Sequence, residues 1–288
     1  MKLSDIMSIK GVMEHLRNAL DEDIGCGDAT TLALVDPVAV AEGAIIARQA
    51  CRVAGIAVAK AALQQVDPKI ICETIIPEGY DADAGSILLT MRGAAASILT
   101  AERTALNYMQ RMCGIATLTA QFVRAVQPHP TRILDTRKTT PGMRIFKKYA
   151  VLCGGGENHR FGLFDRVLIK DNHRRLWHAG DPDRLDLAVF AAREKYPDLA
   201  VEVEVESLAE LRSALRAKPE WVLLDNMSIE MMTQCVKEAK GISLTEASGG
   251  ITLERAAAIA ATGVDAISLG CLTHSAPSID LALEWETV

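Results

Sequence analysis

Val201-Glu202-Val203-Glu204-Val205-Glu206 is followed, after an intervening helical pattern, by Trp221-Val222-Leu223-Leu224-Asp225. The first segment alternates strictly, so its three glutamates share one face of a strand. The second reads as a strand that ends in a carboxylate. Working outward, strand candidates fall at 131–136, 166–170, 201–205, 221–225, 242–247 and 264–269. Helical candidates fall between or after them at 183–195, 207–217, 228–239 and 252–261. Alternation of this kind predicts parallel strands with helices outside, as an open sheet or a barrel. Almost every strand ends in chemically capable residues: Asp135, Arg137 and Lys138; Lys170; Glu204; Asp225; Ser248-Gly249-Gly250; Ser268 and Gly270. In a barrel of parallel strands those carboxyl ends converge on one mouth, where active sites sit. Six strands in about 160 residues are too few for eight βα units, which take roughly 250. The expectation is an incomplete or smaller α/β barrel. A strand inside it has no solvated face except at its ends, so some of the three glutamates belong to a polar interior. No G-x-G-x-x-G follows a first strand, which argues against a dinucleotide fold.

Upstream the rhythm differs. Residues 12–22 space apolar side chains at 12, 16 and 20 and read as a short helix stopped by the Gly25–Gly27–Asp28 turn, with His15 as an exposed helix histidine. Residues 42–48 and 84–91 read as strands, and 55–66 as an Ala-rich helix. This mixture lacks a βαβ rhythm and suggests an α+β layer of its own. From Ala94 to Met112 the pattern is helical; Gly114 reads as a break, followed by a second helix to about Val126. The expected domains are 1–114 and 115–276, with a tail at 277–288.

Between Arg137 and Lys170 stand eight cations (137, 138, 144, 147, 148, 160, 166 and 170) against two acids, Glu157 and Asp165, in a chain of net charge −6. A cationic island in an acidic molecule suits a small, highly charged anion better than a nucleic-acid backbone. Arg137, His159 and Arg160 are the natural carboxylate binders, because the arginine fork pairs bidentately and does not titrate away. Lys138 and Lys170 are point charges suited to pyrophosphate or to a departing carboxylate. Gly154-Gly155-Gly156 lets backbone approach a ligand. Ser248-Gly249-Gly250 and Ser268-Leu269-Gly270 follow the last two strands, where barrels build phosphate cradles from backbone N–H groups. Thr252 or Ser248 could equally cap the following helix. His129, His173, His178 and His274 read as polar loop groups rather than catalysts. With 49% hydrophobic and 24% charged residues in a length of 288, the composition is that of a globular chain with a sizeable core. The first 20 residues carry charges throughout, so no signal peptide is visible, and no run of roughly 18 apolar residues predicts a membrane span. Seven scattered cysteines without C-x-x-C spacing read as reduced, mostly buried thiols of a cytoplasmic chain.

Asp135-Thr136-Arg137-Lys138-Thr139-Thr140-Pro141-Gly142, Lys148-Tyr149-Ala150-Val151, Gly154-Gly155-Gly156-Glu157-Asn158-His159-Arg160 and Leu168-Ile169-Lys170-Asp171-Asn172-His173 resemble, in this order and spacing, the quinolinate phosphoribosyltransferase family. Further matches run along the chain. They include Glu22-Asp23-Ile24-Gly25, Ala101-Glu102-Arg103-Thr104-Ala105-Leu106-Asn107, Leu223-Leu224-Asp225-Asn226-Met227, Glu246-Ala247-Ser248-Gly249-Gly250-Ile251 and Ser268-Leu269-Gly270. The resemblance implies an incomplete barrel paired with an N-terminal α/β sandwich, onto which the last residues return. It implies phosphoribosyl transfer from 5-phosphoribosyl-1-pyrophosphate to quinolinate with loss of CO₂. Lys138, Lys170, Glu204 and Asp225 become the catalytic candidates. Arg103, Arg137, His159, Arg160 and the two Ser/Gly loops become substrate binders. Mg²⁺ is implied near Glu204 and Asp225, directly or through water or substrate, with no organic cofactor. The implied working unit is at least a homodimer in which Arg103 reaches the partner's site, with no nucleic acid or membrane as partner. Cys271 and Glu157 depart slightly from the family's pattern, and Glu157 adds an acid near the anion site. A related transferase of the same fold and a non-catalytic ligand-binding relative are the alternatives. Intact Asp135–Pro141 disfavours the first. Retention of Lys138, Lys170, Glu204 and Asp225 disfavours the second.

Overall fold

The computed structural model describes residues 6–177, 181 and 183–285; His178 lies outside them. In chain order the elements are α1 (Val12–Ile24), α2 (Ala29–Leu34), β1 (Val40–Ala47), β2 (Cys51–Arg52), α3 (Ile56–Val66), β3 (Ile71–Thr74), β4 (Asp81–Ala82), β5 (Ile87–Ala94) and the long α4 (Ala95–Ala125). Then come β6 (Arg132–Leu134), α5 (Arg144–Cys153), β7 (Val167–Ile169), α6 (Asp171–Arg175), α7 (Leu185–Lys195), β8 (Val201–Val205) and α8 (Leu208–Leu215). The chain finishes with β9 (Trp221–Asp225), α9 (Ile229–Ala239), β10 (Leu244–Ser248), α10 (Leu253–Ala260), β11 (Ala266–Ser268), α11 (Cys271–His274) and β12 (Leu281–Trp285). Two compact units result. One holds the described residues up to Ala120, Thr139–Gly155 and those from Leu272 onward; the other holds Gln121–Lys138 and Gly156–Cys271.

The first unit is built on an antiparallel sheet in the order β12-β1-β5-β3, with β2 and β4 as a separate short pair. Its core is aliphatic: Ile45, Leu63, Leu88, Leu89, Ile98, Leu106 and Met109 are all buried together. The last strand joins β1 with Leu281 opposite Ala47 and Trp285 opposite Gly43. Gly114 does not break a helix; α4 runs straight through it. Its role is close approach. A Cβ there would fall on the Pro277 carbonyl and within 3.2 Å of the Ser278 Cα. The incoming segment is then held by Ile279 N–H to the Gln110 carbonyl at 3.0 Å and by the Gln110 amide to the Leu281 carbonyl at 2.9 Å.

Two further readings of the sequence change here. His15 is not an idle surface histidine: its ring packs 5.0 Å from Phe146 and 6.1 Å, edge-on, from Tyr108. The cationic island is not one exposed surface, because Lys147 and Lys148 are buried in α5. Lys147 Nζ is spent on the Thr140 hydroxyl (2.6 Å) and the Thr273 carbonyl (2.8 Å). Burial lowers the pKa of that ammonium, with the Arg111 charge adding to the effect. Of the cysteines, four are buried, Cys72 and Cys271 are half-buried and Cys26 is exposed; all are free thiols.

The second unit is a six-stranded, all-parallel sheet in the order β6-β11-β10-β9-β8-β7. Register defines what faces inward. Glu202 pairs with Trp221 and Glu204 with Leu223, while Leu244, Glu246 and Ser248 pair with Trp221, Leu223 and Asp225. Glu246 pairs in turn with Ala266, and Ala266 with Arg132. Period-two alternation therefore puts Trp221, Leu223, Asp225, Glu202, Glu204, Glu246 and Ser248 on one face. At its base Trp221 lies under two guanidinium groups, Arg132 at 4.8 Å and Arg166 at 5.4 Å from the ring centre. Val201, Val203 and Val205 take the other face and are fully buried. The strand order closes the barrel only partly: β6 and β7 are the two edges, and Glu157 adds a single parallel bridge beside Leu134 at the β6 edge.

The close approach at Gly114 makes a simple test. Gly→Ala inside a solvated helix stabilises by about 1 kcal/mol through propensity. Here Gly114→Ala is expected to destabilise by about 1–3 kcal/mol, as overpacking does. A raised denaturation midpoint for this variant would contradict the packing.

Candidate active site

The carboxyl ends of the six parallel strands share one edge of the second unit. Round that edge stand Arg137 and Lys138 after β6, Ser268-Leu269-Gly270 at the end of β11 and Ser248-Gly249-Gly250 at the end of β10. Asp225 closes β9, Glu204 lies in β8 and Lys170 follows β7. Short crossovers hold these positions. Ser207 caps α8 through the Glu210 N–H (3.2 Å), and Ser228 caps α9 through the Met231 N–H (3.2 Å). Arg103 is exposed on α4 of the first unit.

Two details shape the edge. Lys170 Nζ donates to Glu204 Oε2 at 2.6 Å, so the cation and the carboxylate neutralise each other in this state. Asn226, with φ 53°, donates its N–H to the Ser248 carbonyl (3.0 Å) and its side-chain amide to Asp225 Oδ2 (2.8 Å). Its amide also fills the space where a Cβ on Gly249 would sit, and Gly249 has φ 95°. Glycine at 249 is thus required by backbone and neighbour together. Thr252 occupies the cap position of α10, but its side chain makes no cap bond to the helix backbone; it instead holds the Glu254 carboxyl below its usual range.

The segment Glu157–Arg160 is held from beneath. Buried Asp135 accepts the His159 N–H through Oδ1 (2.9 Å) and the Asn158 amide through Oδ2 (2.7 Å). The His159 ring then descends into the interior, where Nε2 stands 3.0 Å from Glu202 and 3.4 Å from Glu246, both carboxylates being fully buried. Arg166 adds a second cation 3.2 Å from Glu202. Arg160 donates through Nη1 to the Arg166 carbonyl at 3.2 Å, next to the start of β7. His173 accepts the Lys170 N–H through Nδ1, and His274 contacts the Ser275 hydroxyl; both are local loop bonds. The members that residue-by-residue reading passed over are Asp135 as an anchor, Asn226, Arg166, Glu202 and Glu246. Strict alternation had placed Glu202 on one face with Glu204 and Glu206, but nothing local linked it to His159 or to Glu246.

The electrostatics of the cluster form one problem. Burial opposes a charged His159, but the hydrogen bonds and charges of Glu202 and Glu246 outweigh it and push its pKa up to about 9. Burial and the Glu202 charge raise Glu246. Glu202 is held down despite its burial, by His159 and Arg166. The Arg160 N–H points at His159 Nδ1 at 2.7 Å, which leaves the ring proton on Nε2. The extra proton is therefore carried by the cluster as a unit.

A partly closed parallel barrel with a group of cations, a Lys–Glu pair and two Ser/Gly loops on its carboxyl edge defines the class of α/β-barrel proteins suited to small anionic ligands. Comparison with known proteins narrows the class. Residues 28–113 match the N-terminal domain of quinolinate phosphoribosyl transferase, and residues 115–284 match its C-terminal domain. The chain is 42% identical over 280 residues to a nicotinate-nucleotide pyrophosphorylase (carboxylating) of Mycobacterium leprae, covering 94% of this chain and 96% of that one. It is 40% identical over 273 residues to the probable enzyme of the same name from Synechocystis, covering 93% and 90%. The solved nicotinate-nucleotide pyrophosphorylase of Francisella tularensis superposes with a TM-score of 0.89 at 39% identity, covering 96% of each chain. The chain belongs to the quinolinate phosphoribosyl transferase family.

Because the folded cluster keeps a proton that an ordinary histidine releases near pH 6.5, its stabilisation is complete below that value and is lost as pH rises toward about 9. The urea midpoint should fall across this window. In Glu246→Gln the fall should be shallower, and an identical slope would place the proton elsewhere.

Proposed function

We propose that the chain transfers the phosphoribosyl group of 5-phosphoribosyl-1-pyrophosphate to the ring nitrogen of quinolinate, with decarboxylation, yielding nicotinate mononucleotide, pyrophosphate and CO₂. The observation that carries this reading is the arrangement of one edge. Ser/Gly loops follow β10 and β11, carboxylates stand at β9 and β8, and cations stand at β6 and β7. Family membership over both domains supplies the substrate class.

Arg137, His159 and Arg160 take the two ring carboxylates. The guanidinium groups pair with them bidentately, which fixes the plane of the pyridine ring. The 5′-phosphate lies against Ser248-Gly249-Gly250 and Ser268-Leu269-Gly270, whose backbone N–H groups serve as donors. Lys138 and Lys170 neutralise pyrophosphate and the carboxylate that leaves. Lys170 gives up Glu204 when an anion arrives, which frees that carboxylate for the sugar. Glu204 and Asp225 hold the ribose hydroxyls and balance positive charge building at the anomeric carbon as the ring nitrogen attacks and pyrophosphate departs. Holding both anions side by side removes much of the entropic barrier to their meeting. The N-ribosylated ring is a pyridinium, which accepts the electron pair left at C2 when CO₂ leaves; one proton then completes the C–H bond.

Glu204 and Asp225 also fit Mg²⁺. Both are hard oxygen donors, and each has one oxygen committed, to Lys170 and to Asn226 respectively, with the other left for a metal. These two carboxylates would hold a magnesium ion, which would screen the pyrophosphate charge. We further infer a cytoplasmic homodimer with shared sites. The support is Arg103, which is exposed on a helix of the first unit, together with the resemblance that sends this arginine to the partner.

Release of CO₂ and nicotinate mononucleotide from quinolinate, with nicotinate as the control substrate, tests the reaction. Glu204→Gln and Asp225→Asn should each lower kcat by about 10²–10³-fold, as loss of one transition-state contact does, with the fold intact. Normal turnover in both variants would remove these residues from the mechanism.

The shared site is tested by mixing inactive Arg103→Ala and Lys138→Ala proteins. In a two-fold dimer one of the two sites of each mixed pair then carries both intact residues, so partial activity returns after subunit exchange. Exchange demonstrated by mass spectrometry without recovery would assign Arg103 to its own chain or to no site.

A further inference from the structure

We propose that Glu202 and Glu246 are positioning residues for substrate binding: together they fix the His159 imidazole from inside the barrel and so set the loop that presents His159 and Arg160. The proposal rests on the function proposed above and adds two residues to it. Their burial is complete, and each lies one inward position below a residue of the edge, Glu202 below Glu204 and Glu246 below Ser248. A buried ion pair contributes little net stability compared with apolar residues of the same volume, so packing alone does not account for two carboxylates here. Their geometry does. His159 Nε2 lies between the two carboxylates, 3.0 Å from Glu202 and 3.4 Å from Glu246. The latter is an ion-pair contact in which neither Glu246 oxygen is hydrogen-bonded, and the two charges hold the tilt and the depth of the ring. The backbone of the same residue is fixed by Asp135. The network then closes on itself, since Glu202 binds Arg166 Nη1, the Arg166 carbonyl accepts Arg160 Nη1, and the Arg160 N–H meets His159 Nδ1. Glu202 therefore acts on both His159 and Arg160, whereas Glu246 acts through His159.

The same three donor atoms lie within 4.8 Å of one another, a spacing that a metal ion could also use. A proton fits the charges better, because Arg166 already neutralises Glu202 and a divalent ion would leave excess positive charge in the interior.

A double-mutant cycle on substrate use decides the question. Glu202→Gln and Glu246→Gln should each raise the KM for quinolinate by about tenfold or more, as loss of a buried charged partner does, while the KM for the phosphoribosyl donor stays within about twofold. Glu246→Gln added to His159→Ala should cost nothing further. Multiplicative effects, or equal effects on both substrates, would overturn the proposal. A second readout needs no substrate. Nitrogen-15 spectra of the histidines should show a protected Nε2–H on His159 that is lost in both glutamine variants; a freely titrating imidazole with a value near 6.5 would overturn it. Stoichiometric metal in the purified protein that disappears in His159→Ala would overturn it as well. If wild-type protein does not convert quinolinate, the functional reading fails while the spectra still decide the positioning.

Discussion

Two carboxylates without solvent exposure, Glu202 and Glu246, sit on the inner face of a six-stranded parallel sheet. Charges in such a place must be paired or neutralised, because desolvation otherwise costs several kcal/mol per ion. Much of the second unit follows from that demand. His159 is drawn inward, Arg166 is folded over Trp221 toward Glu202, and the segment from Glu157 to Arg160 spans from the β6 edge to the residue before β7. A barrel of eight strands fills its interior with layers of branched aliphatic side chains. Here an ionic layer lies above an Arg–Trp–Arg base and below the edge that carries the candidate chemistry.

The second constraint is direction. Parallel strands joined by helical crossovers place every carboxyl end on one side, so residues from six separate stretches meet without long loops. Local chemistry then finishes the edge. Asn226 in a left-handed conformation ties Asp225 to the Ser248 carbonyl and leaves room at 249 for glycine alone. Lys170 and Glu204 satisfy each other. An edge with internally paired charges keeps its side chains ordered before substrate binds, which reduces the ordering needed on binding.

Much of this was legible beforehand. Each of the six strands lies within or beside its expected range, because a period-two or short apolar run bounded by polar residues is a local signal. The four helices at 185–195, 208–215, 229–239 and 253–260 were legible for the same reason. Other features were not. Arg144–Cys153 carries two lysines that look solvated in one dimension and are buried in three. Gly114 looks like a helix stop, and only the return of Pro277 and Ser278 explains why the helix continues and why the position has no side chain. Leu281–Trp285 is a strand by virtue of the β1 edge it completes, not by its own pattern.

By itself, then, the sequence determined the class of fold, the strand ends that bear chemistry, the excess of cations around residues 137–170 and the shared face of Glu202 and Glu204. These depend on neighbours a few positions apart, where periodicity and composition act directly. Only the tertiary structure decided which of those charges meet. That His159 reaches both Glu202 and Glu246, that Lys170 pairs with Glu204, and that Lys147 is spent on the Thr273 carbonyl are outcomes of sheet order and register. Pairing between distant residues is set by how strands align and how buried charge is compensated, and neither is written in the spacing of residues along the chain.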